Sequence, residues 1–236
     1  KYFPQNGRIG CDAAWLGNNR LHKPIVELRP NPTSDPLLLV KRLYHGLLTA
    51  AKKLERVPCK WLAGAMPYRG FPIGGHIHFS GIEPNFKMLR ALDNYLTLFL
   101  TVAEDPRGMD RRPKYGFLGD FRRKDHGGFE YRTPPSWLVS PTLTKGVFIL
   151  AKIIVAYYPE FSYDPLSEVE VQEAYYQGNK EILKPWLPYL WQEIRKLPIY
   201  AKYERYLERF YQYIESGRTW DETADFRRAW RIPPYR

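Results

Sequence analysis

The chain is poor in cysteine, with two in 236 residues, Cys11 and Cys59. They form no CxxC pair and build no disulfide framework, which excludes the small disulfide-stapled folds and points to a reducing compartment. No apolar run approaches the roughly 20 residues that span a bilayer. Gly146–Tyr158 (GVFILAKIIVAYY) is shorter and fits a buried helix or strand. The opening residues lack the pattern of a signal peptide, so a cytoplasmic protein is expected. A Walker A loop, an HExxH helix and a GxSxG elbow are also missing, which argues against P-loop ATPases, zinc proteases and serine hydrolases. No internal repeat is evident.

What is present is a globular composition: 44% hydrophobic, 16% aromatic and 26% charged residues. The aromatic content supplies enough buriable surface to exclude disorder over most of the length. The net charge of +11 favours a polyanionic partner such as a nucleotide, a nucleic acid, an acidic polymer or an anionic membrane surface, without choosing among them.

The N-terminal stretch reads as a β-hairpin, with Arg8–Trp15 and Pro24–Arg29 flanking a turn that contains Gly17-Asn18-Asn19. Ser34 or Asp35 suits an N-cap and Pro36 a first turn for a helix over Leu37–Arg56. Trp61–Met66 and Gly74–Ser80 read as strands and Asn85–Val102 as an amphipathic helix. Glu104–Lys114 reads as a charged loop. Gly116–Asp125 and Gly128–Arg132 read as two strands joined by a turn at Lys124-Asp125-His126-Gly127-Gly128, with a helix over Leu143–Tyr157. Beyond Tyr158 the character changes to Tyr- and Trp-rich, strongly charged helices over Ser167–Asn179, Pro185–Leu197 and Ala201–Ser216. The expected class is α+β, with a mostly antiparallel sheet flanked by helices. The expected domains are a catalytic one over 1–158 and a helical extension over 159–236.

Three constellations carry chemistry. His76-Ile77-His78 puts two imidazoles on one face of a strand, where one suits a divalent metal and the other a phosphate. The alternative is a pair of histidines that hydrogen-bond the core. Glu130 and Arg132 share one face of another strand, with Arg111, Arg112, Arg122 and Arg123 just upstream. Clustered guanidiniums beside a carboxylate suit a polyphosphate and a substrate carboxylate, and the alternative is a solvated ion-paired surface. Asp12 and Glu27 lie on adjacent strands of the hairpin. Two acids and a histidine around one cavity would make an oxygen-rich Mg2+ site, whereas the alternative pairs Glu27 with Arg29 and leaves Asp12 closing a turn.

These segments resemble a known family. Gly74–Ser80 (GGHIHFS) resembles the glutamine-synthetase strand with a metal-binding histidine followed two residues later by a phosphate-side histidine. Gly128–Leu138 (GFEYRTPPSWL) resembles the strand of those enzymes that carries an E-x-R pair before a proline. Gly10–Asp12, Glu27–Pro32, Gly74–Phe79, Tyr115–Arg122 and Gly127–Leu138 together resemble the phage-type amidoligases, or COOH–NH2 ligases. The likeness covers Gly7–Tyr158 and runs in the family's order. It implies a glutamine-synthetase-like catalytic domain and an ATP-dependent ligase, phage-related and cytoplasmic in its host. Such a ligase joins a small-molecule, peptide or protein carboxylate to an amine through an acyl phosphate, with a homo-oligomer possible. It further implies that Glu27, His76 and Glu130, with Asp12, are Mg2+ ligands. His78, Arg112 and Arg123 would meet the ATP phosphates, and Arg132 and Arg122 would stabilise the transferring group alongside catalytic Glu130. The family's first acidic strand has no counterpart before Gly7, so the expected catalytic domain lacks it.

Two other functions are compatible with parts of the chain. A nucleic-acid-binding protein would use the +11 charge and the basic, aromatic segments Arg195–Arg209 and Arg227–Arg236, but leaves the His and Glu/Arg strands unexplained. A degenerate ligase fold kept as an interaction module would account for the missing acidic strand.

Overall fold

A computed structural model of the chain describes residues 3–16, 20–112, 114–125 and 127–233, with the backbone alone for 13–16 and 20–24. The expected turn at Gly17-Asn18-Asn19 and the His126 position of the second turn lie outside the described residues. The class is α+β, with small antiparallel sheets and more helix than strand. The chain divides into two compact units, Lys1–Trp61 with Ala224–Arg236, and Leu62–Thr223. The boundary expected at residue 158 falls inside the second unit.

In the first unit, β1 (Ile9–Leu16) pairs antiparallel with β2 (Arg20–Leu28), which starts four residues before the expected Pro24. Opposed residues in such a pair share a face. Glu27 stands opposite Gly10 and Asp12 opposite Ile25, so the two acids share one face, as the alternation predicts. α1 (Pro36–Lys53) starts at Asp35, whose carboxylate accepts from the Leu37 N–H at 2.9 Å. Its buried stripe of Val40, Leu43, Leu47, Ala50 and Ala51 has helical spacing, and the basic residues stay outside. The short α9 (Arg227–Trp230) is held in this unit: Trp230 stacks on Tyr44 with centroids 6.1 Å apart, and Arg227 donates to Asp225 and to the Cys59 carbonyl. Cys11 and Cys59 are free thiols.

The second unit holds a three-stranded sheet in the order β3 (Ile77–Phe79), β5 (Phe129–Tyr131), β4 (Phe121–Arg123). One face carries Ile77, Phe79, Phe121, Phe129 and Tyr131, with Phe129 and Tyr131 fully buried. The register places His78, Glu130 and Arg122 in one row across the other face.

Trp61–Met66, expected as a strand, is not one. Its backbone donors go elsewhere: the N–H groups of Ala65 and Met66 both donate to the carboxylate of Glu222, itself fully buried. The Ala65 carbonyl accepts from Ile73 and that of Gly64 from Ser136, so residues 64–66 bond to scattered partners rather than along one strand. Glu104–Lys114, expected as a loop, contains a 3-10 helix over Pro106–Arg111. Asp105 caps it by accepting from the Arg107 N–H at 3.0 Å, and Pro106 presets the first turn.

The expected helix over Asn85–Val102 is three pieces end to end. α2 (Phe86–Leu92) begins at the Asn85 cap, a π turn spans Asp93–Thr97, and α3 (Leu98–Ala103) follows. The wide turn carries Asp93 and Asn94 inward, where both are buried. The Tyr131 hydroxyl donates to Asp93 Oδ1 at 2.6 Å, and Asn94 bonds Asp164 and the Leu166 N–H. Burial pushes the Asp93 carboxyl up to about 7, against the hydrogen bonds from Tyr131 and the Gly119 backbone.

α4 (Pro141–Tyr157) is the centre of this unit. With the 3-10 turn that follows, it is long and apolar enough to cross a bilayer over Pro141–Glu160. Yet Leu143, Val147, Ile149, Leu150, Ile153 and Ile154 are fully buried within the unit. α5 (Val169–Gln177), α6 (Lys180–Leu183), α7 (Leu187–Lys196) and α8 (Tyr200–Glu215) follow. α8 buries Tyr203, Leu207, Phe210, Tyr211 and Ile214 at three- and four-residue steps. Phe99 of α3 meets Trp191 at 5.6 Å and Phe210 at 6.3 Å. A buried ring of this size contributes about 1.5–3 kcal/mol. The helices after residue 158 therefore share the core of the helices before it.

Candidate functional site

The polar face of the β3-β5-β4 sheet is built around Glu130, whose side chain is 2% exposed. His76 Nδ1 lies 2.8 Å from its Oε1. On Oε2, Arg122 converges through Nε at 3.0 Å and Nη2 at 2.6 Å, and Lys124 Nζ sits at 2.6 Å. Arg122 and Lys124 are two residues apart, so strand alternation puts both on the Glu130 side. Burial alone would raise the Glu130 carboxyl, but hydrogen bonds from His76, Lys124 and Arg122 outweigh it and hold the group well below the usual carboxylate range.

The network continues from His76. The Tyr115 oxygen accepts from Arg132 Nε at 3.1 Å and Nη2 at 2.8 Å, and stands 2.6 Å from His76 Nε2. Tyr115 and Glu130 thus engage both ring nitrogens of His76. Burial raises the Tyr115 hydroxyl pKa, against the pull of Arg132, so the phenol keeps its proton. The ring lies between two guanidiniums, with Arg111 at 4.9 Å and Arg132 at 4.8 Å from its centroid. Arg132 also meets Asp120 at 3.5 Å.

Local backbone chemistry makes room for this. A Cβ on Gly74 would stand 2.6 Å from His76 Nε2, so only glycine lets the imidazole fold back toward Tyr115. Arg111 is buried and donates to the carbonyls of Thr133 at 2.8 Å and Pro134 at 3.1 Å, which holds the segment after β5. His78 stands in the Glu130 row with its ring exposed at the surface. The groups packed around its inner side lower its pKa: desolvation first, opposed by Glu130, then helped by the charges of Lys124, His76 and Arg122.

The structure thus brings His76, His78, Arg122, Glu130 and Arg132 together. Arg123 is on the opposite face, 65% exposed, and pairs with Glu83. Arg112 is buried away from the sheet face, ion-paired to Glu104 and 4.6 Å from the Tyr175 ring. Asp12 and Glu27 belong to the hairpin of the first unit, where Glu27 pairs with Arg29. Sequence reasoning gave no role to Lys124, Tyr115 or Asp120. The step of two from Arg122 to Lys124 was the signal for the first, and the place of Tyr115 at the head of the Tyr115–Arg122 motif for the second.

The donors do not fit a metal centre as they stand. Glu130 Oε1 is taken by His76 and Oε2 by Arg122 and Lys124, and both nitrogens of His76 are taken by Glu130 and Tyr115. Among the described residues no three His, Cys, Asp or Glu side chains gather as a group that could hold a metal ion. Anions fit better: Arg122 leaves 58% of its side chain exposed and Arg132 24%, beside His78 and Lys124. Guanidinium forks match carboxylate and phosphate oxygens in pairs.

The family described as Phage phiEco32-like COOH.NH2 ligase-type 2 has a model that matches residues 1–232. The match runs through the helices after Tyr158, beyond the stretch whose motifs carried the resemblance. No curated protein and no solved structure matches the chain.

Proposed function

Because the chain belongs to the phage phiEco32-like COOH.NH2 ligase-type 2 family, we propose that it is an ATP-dependent carboxylate–amine ligase acting on the polar face of the β3-β5-β4 sheet. The family name indicates a ligase that joins a carboxyl to an amino group. The observation that carries the finer reading is the set of cationic side chains, Arg122, Lys124 and Arg132 with His78, around one buried carboxylate. A glutamine-synthetase-like fold goes with this reading, as does the reducing, ATP-rich cytoplasm of a bacterial host.

ATP, when bound, supplies the phosphoryl group that turns the substrate carboxylate into an acyl phosphate, from which an amine displaces phosphate to leave the amide and a proton. Arg122 and Arg132 hold the anionic oxygens of the two substrates. Glu130 orients Arg122 through two hydrogen bonds, and Tyr115 orients Arg132 through two more. Preset guanidiniums lower the barrier because they need not reorganise as charge develops. His78 stays neutral near pH 7 and offers a ring nitrogen to a phosphate oxygen. The proposal uses neither Arg112, whose guanidinium is engaged by Glu104, nor Arg123, nor the two acids of the hairpin. No step is assigned to Mg2+, since Glu130 and His76 are engaged by protein groups.

The test is ADP release with a panel of amino acids, peptides and amines, using carboxylates labelled with 18O. Release that depends on both substrates and label appearing in free phosphate would establish the reaction. ATP turnover without transfer of label, or no turnover with any pair, would overturn it.

A further inference from the structure

The resemblance implies a divalent cation at His76 and Glu130, and the donors there are closed to one. We propose that Lys124 is a tethered monovalent cation occupying the divalent-cation position at Glu130, so that a divalent ion reaches this carboxylate only when the Lys124 ammonium withdraws. The inference rests on the ligase reading only in that the family supplies the expectation of a metal.

The geometry points to Lys124 rather than to its neighbour. Its Nζ stands 2.6 Å from Glu130 Oε2, and its side chain is only 21% exposed. Its backbone is pinned in the hairpin turn: the Lys124 N–H donates to the Gly128 carbonyl at 3.2 Å, and its own carbonyl accepts from Gly127 at 3.1 Å. Only the four-carbon stem is free to carry the charge away. Arg122, by contrast, is 58% exposed and spreads its charge over a planar group that meets the same oxygen through two N–H groups. An ammonium is a compact point charge with no preferred plane, and so a closer stand-in for a metal ion.

Charge balance makes the occupancy exclusive. Glu130 contributes one negative charge, and Arg122 and Lys124 two positive ones. A divalent ion arriving at Glu130 therefore meets a centre that is already net positive. Removing one fixed charge within contact distance of such an ion shifts its binding by about tenfold or more, even at the effective dielectric of a protein surface. His76 adds no free donor, because both its ring nitrogens are engaged, one by Glu130 and the other by Tyr115.

The experiment is Mn2+ binding to the full chain without nucleotide, with free ion counted by electron paramagnetic resonance. Lys124→Met is expected to bind Mn2+ about tenfold or more tightly than wild type. Lys124→Leu repeats the neutralisation with a branched stem, and Lys124→Arg, which keeps the charge, is expected to stay as weak as wild type. Adding Glu130→Gln to Lys124→Met should abolish the gain, which locates the ion. Equal affinity in wild type and both neutral variants, or a gain that survives Glu130→Gln, would overturn the proposal. Amide formation by wild type is read separately: turnover with no change in Mn2+ affinity sinks the Lys124 role alone, and a gain in Mn2+ affinity without turnover sinks the ligase reading alone.

Discussion

Arg112 and Glu104 form an ion pair whose side chains are 3% and 4% exposed. The guanidinium also lies over the Tyr175 ring, and burial lowers its pKa. A buried pair of this kind fixes the 3-10 segment against α5 rather than meeting a ligand. Removing one partner leaves an uncompensated charge, so Arg112→Met should destabilise the protein by about 3–5 kcal/mol. Pairing it with Glu104→Gln should recover much of the loss. Urea unfolding of the single and double variants reads both effects. A single variant as stable as wild type but deficient in nucleotide binding would return Arg112 to the role of a phosphate contact.

Glu130 holds Arg122 and Lys124 on one oxygen and His76 on the other, all partly open to solvent. Glu130→Gln keeps the shape, removes the charge and releases the cations from their fixed positions. Turnover should fall by about a hundredfold or more, since misplaced groups lose their effect on the transition state steeply. The fold should persist, as seen in the far-ultraviolet circular dichroism spectrum. Wild-type ADP release from this variant would remove Glu130 from the mechanism.

Asp93 gives a pH signature of its own. Its carboxyl is pushed up to about 7 from an ordinary 3.8 by burial in the π turn. The folded state therefore holds this proton more tightly than the unfolded chain does. The stability it contributes is fully present below about pH 4, falls as pH rises toward 7, and is lost above that. Asp93→Asn removes the titration and keeps an acceptor for the Tyr131 hydroxyl. The difference in urea midpoint between variant and wild type should grow in the variant's favour from about pH 4 to about pH 7.5. A difference independent of pH would show that Asp93 does not titrate in this window.

Much of this was legible in the residues. The period-two steps His76–His78 and Glu130–Arg132 announced side chains on one face, and the buried stripes of α1, α4 and α8 announced helices, because both patterns are local. What failed depended on distant partners. Trp61–Met66 has the apolar run of a strand, but its N–H groups go to Glu222, more than 150 residues away in sequence. Arg112 and Arg122 look alike in a run of arginines; only tertiary packing decides that one is paired inside the core with Glu104 and the other pairs with Glu130 while staying 58% exposed. The π turn that buries Asp93 lies inside a helix whose spacing looks regular. Lys124 reads as a turn residue, and its bond to Glu130 depends on how β4 pairs with β5.

Arg132 and Tyr115 offer a test of order rather than of presence. The Arg132 fork makes two hydrogen bonds to one phenol oxygen and stacks on the ring, and its Nη1 meets Asp120. Arg132→Lys retains the charge but loses the plane, the paired donors and the stacking, so kcat/KM should fall by about a hundredfold. Tyr115→Phe keeps the ring between the guanidiniums of Arg111 and Arg132 and removes only the hydroxyl. Arg132 then keeps its stacking and Asp120 but loses two hydrogen bonds, and His76 loses its partner on Nε2, so a loss nearer tenfold is expected. If the phenol were itself the group acting on substrate, the order would invert, with Tyr115→Phe the more damaging change. Steady-state ADP release by the two variants, measured at saturating and limiting carboxylate, distinguishes the cases. A positioning role for Tyr115 requires that the double variant be little worse than Arg132→Lys alone, because a residue acting only through Arg132 has nothing left to position once the fork is gone.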